Sequence, residues 1–332
     1  MARRTRRPRS RSTPTTIGTD ATTSTATGTT AAEYPCVDGP ELLADGLELP
    51  FSFSRQGEWI YVANFGDVFN ATGGGLYRVP VDGGAPELLW AGQSRSVAAS
   101  PAGVFWTELY GVARRTGLDG GASQVLAPGE ARPIAVDATH VYWATKLEVF
   151  RMPLAGGPVD SIAAGFSISY ELALDDERVY WTAGDTVEVV GKDGSGRGTV
   201  ATGQGYARGV ASDGEHVYWL GTKACALQRA PVAGGPSEVL WVHPDADLYS
   251  CPAGTAKIAL HGEHVYWGGS YGVYRLPKAG GAQHVIADGD PTRYTRDIFV
   301  DDVHVYWLKH AGYCEMDGSC KTGAVYRACR PR

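Results

Sequence analysis

The sequence predicts an all-β protein, a seven-bladed β-propeller of four-stranded antiparallel blades, and three observations carry the prediction. An aromatic triplet recurs seven times, a glycine turn follows it in most repeats, and the strand missing from the last repeat is found at the start of the folded region. Repetition at a period of about 40 residues is the mark of a closed array and overrides a domain count taken from length.

The triplet is Val141-Tyr142-Trp143, Val179-Tyr180-Trp181, Val217-Tyr218-Trp219, Val265-Tyr266-Trp267 and Val305-Tyr306-Trp307, with the variants Val104-Phe105-Trp106 and Ile60-Tyr61-Val62. Its third position falls at 62, 106, 143, 181, 219, 267 and 307, at intervals of 37 to 48 residues. Alternate side chains of a strand point to opposite faces, so Val and Trp face one neighbouring blade and Tyr the other. One blade cannot cover both faces, but radial stacking can.

The turns Gly83-Gly84, Gly120-Gly121, Gly156-Gly157, Gly234-Gly235 and Gly280-Gly281 stand between predicted third and fourth strands, and blade four substitutes Gly194-Ser195-Gly196. They read as hairpin turns, since a phosphate-cradling loop would need a helix after it. The last repeat ends at Val325-Tyr326-Arg327-Ala328-Cys329 without a fourth strand. Residues 38–46, DGPELLADG, parallel 84–92, GAPELLWAG, so the N-terminal strand is expected to complete the last blade and close the ring.

Residues 1–35 are rich in Arg, Thr, Ser and Ala and cannot bury enough apolar surface to offset ordering, so a disordered basic tail is expected before a propeller domain at 36–332. The net charge is −6 although the tail holds Arg3, Arg4, Arg6, Arg7, Arg9 and Arg11, which argues against specific nucleic-acid binding. No stretch approaches the ~20 apolar residues of a membrane span. The N-terminus has the charges of a secretory leader but no apolar run after them, so no signal peptide is recognisable. No nucleophile elbow, zinc-helix motif or phosphate loop occurs, and neither a cofactor nor a metal is expected.

Six cysteines allow fifteen pairings. The predicted architecture selects Cys36 with Cys329 at the closure, Cys225 with Cys251 between connections on one face, and Cys314 with Cys320 across a short loop. These bridges imply an oxidising compartment and export, whether periplasmic, cell-surface or secreted. Zinc fits the Cys314 to Cys320 spacing poorly.

The triplets with a following Thr, Trp106-Thr107 and Trp181-Thr182, resemble the Tyr-Trp-Thr-Asp repeats of low-density-lipoprotein-receptor-type propellers, although the Asp of that motif is absent after every Trp. The fuller repeat, from Arg132-Pro133-Ile134 through Val141-Tyr142-Trp143 to Gly156-Gly157, resembles uncharacterised exported bacterial propeller repeats across 36–332. Such a resemblance implies the fold and leaves activity open.

Counting back eleven residues from each triplet's third position reaches Phe51, Arg95, Arg132, Tyr170, Arg208, Ala256 and Arg296 at the mouth of each innermost strand. Four arginines there would form a cationic ring able to hold carboxylate, phosphate or sulfate. The plain alternative is structural, since Arg78, Arg115, Arg151, Arg229, Arg275 and Arg327 recur in third strands, where blade packing explains them. His140, His216, His264 and His304 precede triplets in separate blades and read as structural.

Four long connections, 63–75, 242–255, 288–296 and 309–323, are expected on one face, presenting Phe65, Phe69, Tyr249, Tyr294 and Tyr313 with Arg293. That mixture suits a glycan or a protein partner. The leading expectation is therefore a monomeric, non-catalytic propeller binding a small polar or anionic ligand, a glycan or a protein. A lyase or hydrolase would use Tyr170, Glu171, Lys257 and Asp297 at the channel mouth, and convergence of the last three would favour it. A structural or surface-display role is the third possibility.

Overall fold

The computed structural model describes residues 39–66, 73–108, 111–127, 129–165, 171–222, 225–243, 257–269, 272–289, 293–311 and 322–331. These lie within the compact unit Cys36–Arg332, and the expected tail falls outside the described residues. The N-terminal strand is β1 (Glu41–Leu47). Blade one is β2 (Pro50–Gln56), β3 (Trp59–Asn64), β4 (Gly75–Pro80) and β5 (Glu87–Ala91). Blade two is β6 (Ser94–Ser100), β7 (Gly103–Glu108), β8 (Ala113–Gly117) and β9 (Gly120–Ala127). Blade three is β10 (Ile134–Val136), β11 (His140–Ala144), β12 (Glu148–Pro153) and β13 (Asp160–Ala164). Blade four is β14 (Leu172–Leu174), β15 (Arg178–Ala183), β16 (Thr186–Gly191) and β17 (Gly198–Ala201). Blade five is β18 (Ala207–Ser212), β19 (His216–Gly221), β20 (Ala226–Pro231) and β21 (Glu238–Val242). Blade six is β22 (Ile258–His261), β23 (His264–Gly269), β24 (Gly272–Pro277) and β25 (His284–Asp288). Blade seven is β26 (Arg293–Val300), β27 (His304–Ala311) and β28 (Gly323–Cys329), with β1 as its outer strand.

All seven sheets are four-stranded and antiparallel, and the first strands of successive blades touch in a circle that closes with β26 against β2. The triplets pack as strand alternation requires. Tyr61 meets Val104 and Trp106, Phe105 meets Val141 and Trp143, Tyr142 meets Val179 and Trp181, and Tyr180 meets Val217 and Trp219. Tyr218 and Tyr266 continue the pattern, and Tyr306 meets Ile60 and Val62 across the closure. Each core thus belongs to two blades, and no blade has one of its own.

β1 pairs with β28 through Glu41↔Arg327 and Leu42↔Tyr326. Arg327 fastens this seam: it donates to both Glu41 oxygens, at 2.7 and 3.2 Å, and to the Val81 carbonyl of blade one at 2.8 Å. The same device recurs around the ring. The third-strand arginine reaches the backbone of the next blade at Leu118 from Arg78, Leu154 from Arg115, Lys192 from Arg151, Lys278 from Arg229 and Pro331 from Arg275. Blade packing is therefore what these six arginines do. Blade four has Val189 at this register, opposite Tyr180, and lacks the tie.

The glycine turns also act between blades. Gly83, at φ 85, lets Gly84 donate to Leu43 O of β1 at 2.9 Å, and a Cβ on Gly83 would press on that same carbonyl at 3.2 Å. Cys225 and Cys329 each take part in a disulfide. Cys36, Cys251, Cys314 and Cys320 lie outside the described residues. Among the described residues no helix is long and apolar enough to cross a membrane.

Candidate functional site at the channel mouth

The innermost strands are irregular where they enter the ring. Pairing slips between Pro50 and Ser52 in β2, between Ser94 and Ser96 in β6, and between Thr295 and Asp297 in β26, leaving Phe51, Arg95 and Arg296 as extra residues. A bulge re-aims the side chain it carries. All three line one cavity of ≈30 Å³, together with Ser52, Ser96, Pro133, Glu171 and Lys257.

Charge in this cavity is unevenly committed. Asp297 is buried and saturated: it accepts from Phe53 N at 3.0 Å, from Ile298 N at 2.8 Å and from Lys257 Nζ at 2.8 Å. Lys257 also donates to Ser52 Oγ at 3.2 Å, so the pair ties blades six, seven and one. Burial disfavours the ammonium, but Asp297 and Glu171 more than compensate and raise the Lys257 pKa above its ordinary value.

Among the described residues Glu171 has no such tie. Burial pushes its carboxyl up to about 7, with Asp297 adding to the rise, even though Lys257, Arg296 and Arg95 act to lower it. The Arg296 guanidinium sits 4.0 Å over the Phe51 ring, and its pKa is lowered by burial. Arg208 adds to the positive field on Arg296.

The structure thus brings together Arg95, Arg296, Glu171, Lys257 and Asp297, with Arg208 close enough to be felt electrostatically. It does not place Arg132 in the cavity. That residue's carbonyl instead accepts the Thr107 hydroxyl of blade two at 2.7 Å, because the backbone here serves the blade junction. Tyr170, Tyr249, Tyr313 and Phe69 lie outside the described residues.

Two loop expectations are corrected. Tyr294 and Arg296 belong to β26, since the long partner strand β27 extends the ladder to Tyr294↔His310. Phe65 is buried, stacked on Phe51 with centroids 5.3 Å apart, and presents nothing to a partner. The four histidines before the triplets sit in separate blades, and each ring leans on its own tyrosine at 5.7 to 6.2 Å.

His310 escaped the sequence reading because it lies outside the repeat. It contacts Phe51 and Tyr294, and burial and Arg296 hold it neutral, with its pKa down to about 4. Ser52 and Ser96 were also missed. Each serves twice, lining the cavity and accepting a backbone N–H from the next blade, Val97 at 3.4 Å and Ile134 at 3.2 Å.

No protein-family model matches the chain, and no curated protein sequence matches it. Among solved structures the chain is similar to YCF48 bound to D1 peptide, at 10% identity and a TM-score of 0.63, over 90% of this chain and 99% of that one. It is also similar to a chain of the nidogen/laminin complex, at 16% identity and a TM-score of 0.47, over 55% of this chain and 76% of that one. At such identity the first likeness shows the fold, a propeller, and nothing finer.

Proposed function

We propose that the protein is a binding propeller whose channel mouth receives the anionic group of a larger ligand or protein partner, a carboxylate, phosphate or sulfate. One observation carries this reading: among the described residues Arg95 and Arg296, delivered by bulges, line one cavity with Lys257, whose charge Asp297 meets. Glu171, held near neutrality, only partly offsets the arginines. The two guanidinium groups and the small cavity they line suit a terminal oxyanion of a larger ligand. A propeller of similar fold with a peptide bound supports a partner of that kind.

Titration of the full chain with citrate and with inorganic phosphate tests the reading. Binding that falls with salt, and falls about tenfold or more in the R95A/R296A double variant, is expected. Equal binding by wild type and double variant overturns it.

A second reading has its own observation, because a carboxyl at about 7 suits general acid–base chemistry. Glu171, Lys257 and Asp297 do converge, as that reading requires, but the Lys257–Asp297 pair is engaged in holding three blades together, and binding therefore remains the preferred reading. For the cysteines we propose the pairs Cys36–Cys329, Cys225–Cys251 and Cys314–Cys320, and with them export to an oxidising compartment. A mass gain of about 6 Da on full reduction supports three bridges, peptide mapping of the unreduced chain checks their pairing, and no gain overturns them.

A further inference from the structure

Where the first strand turns into the second, four blades carry an aspartate five residues before the triplet tyrosine: Asp137, Asp175, Asp213 and Asp301. One carboxylate oxygen caps the turn, accepting N–H from His140, Arg178, His216 or His304 at 2.7 to 2.8 Å. The other oxygen faces the next blade, and in three of the four it holds a cation from there. Lys192 Nζ lies 2.8 Å from Asp137, Lys278 Nζ lies 2.9 Å from Asp213, and the Arg55 guanidinium pairs with Asp301. These cations also lie over the tyrosine rings, at 5.7, 6.0 and 5.5 Å from the centroids of Tyr142, Tyr218 and Tyr306. Carboxylate and ring together form a receptor for ammonium or guanidinium, built three times in one chain.

Asp175 breaks the series. Lys192 and Lys278 are each fixed by a backbone bond from their own N–H to a turn carbonyl of the same blade, at 2.8 Å; in blade five the residue making that bond is Val232. The counterpart of Arg55 is Ser212, whose hydroxyl donates to Asp175 Oδ2 at 2.9 Å. Among the described residues no cation from blade five reaches Asp175. The arginine tie is missing at the same junction, where Val189 stands. A cleft of ≈490 Å³ opens here between the two turns, lined by four carboxylates, of which Asp213 is paired with Lys278 and Glu177 with Arg178 at 3.3 Å, while Asp175 and Asp176 have no cation among the described residues.

We infer that the cleft between blades four and five binds an ammonium or guanidinium group supplied from outside the chain, which takes at Asp175 the place that Lys192, Lys278 and Arg55 hold at its sister sites. The site is separate from the channel mouth and does not depend on it. Its ligand is either a lysine or arginine side chain of a partner or a free polyamine.

The full chain titrated with tetralysine and with spermidine decides the matter. V232K supplies the lysine that the repeat omits and fills the site from within, while D175N removes the acceptor. Each is expected to weaken binding on the order of tenfold while melting as a folded protein, with R95A/R296A unchanged. Binding of tetralysine without spermidine identifies a side chain on a partner, and binding of both identifies free amines as well. Should D175N fail to fold, V232K carries the test. Absence of binding by wild type, or wild-type affinity in any folded variant of the two, overturns the inference.

Discussion

The two ends of β14 differ in their chemistry although only three residues separate them. Glu171, before the strand, faces the channel among Arg95, Arg296 and Lys257, and burial holds its pKa up. Asp175, after the strand, faces the cleft; burial opposes its ionisation too, but Tyr180, the turn N–H groups and Ser212 hold it below the usual carboxylate range. Hydrogen-bond donors aimed at a carboxylate make it a fixed charge, and without them burial makes it a titrating one. Where the chain follows its repeat, charges tie blade to blade; at Glu171 and Asp175 it departs, and the carboxylates line a cavity and a cleft.

The sharpest contrast comes from one substitution made at the channel mouth and one at the cleft. Asp297→Asn leaves the Lys257 ammonium without its counter-ion and is expected to cost roughly 3 kcal/mol. Asp175→Asn keeps the turn acceptor and is expected to cost about 1 kcal/mol. Denaturant unfolding of both variants checks this, and equal losses would break the comparison.

The mouth and the cleft are also expected to respond in different pH windows. The folded pKa of Glu171 lies above its unfolded value, so its contribution is fully present below about pH 4.5 and is lost as pH rises through about 7. Glu171→Gln should therefore gain on wild type across that interval, by about 2 kcal/mol at its upper end once channel solvent is allowed for. Asp213 runs the other way. Burial opposes its ionisation, but Lys278 and the His216 N–H bring it down to about 2, so its contribution holds above about pH 4 and is lost only as pH falls through 2. Melting curves of wild type and Glu171→Gln from pH 2 to 8 separate the two. The smallest effect expected is from Val189→Arg, which restores the missing tie to blade five and should stabilise by about 0.5 kcal/mol.

The fold was legible because one triplet states both faces of every blade, and because the DGPELLADG segment matches a fourth strand with no sheet of its own. The packing role of the third-strand arginines was legible for the same reason: they keep a fixed register to Tyr. The mouth was legible in part. Counting back from the triplet found Phe51, Arg95 and Arg296, but fixed spacing cannot show which strands bulge, so Arg132 looked equivalent to Arg95 and is not. His310 and Phe65 could not be read, since neither follows the repeat and their burial depends on a contact between blades one and seven. The Asp175 cleft was invisible for a further reason, because its signal is a pair of valines, Val189 and Val232, where sister blades hold cations.

The channel mouth can be tested by direct observation of an oxyanion in it. Crystals soaked in selenate and measured at the selenium edge should show an anomalous peak within hydrogen-bond distance of both Arg95 and Arg296. Selenate bound elsewhere with those two guanidinium groups unoccupied, or no peak at all, would contradict the account.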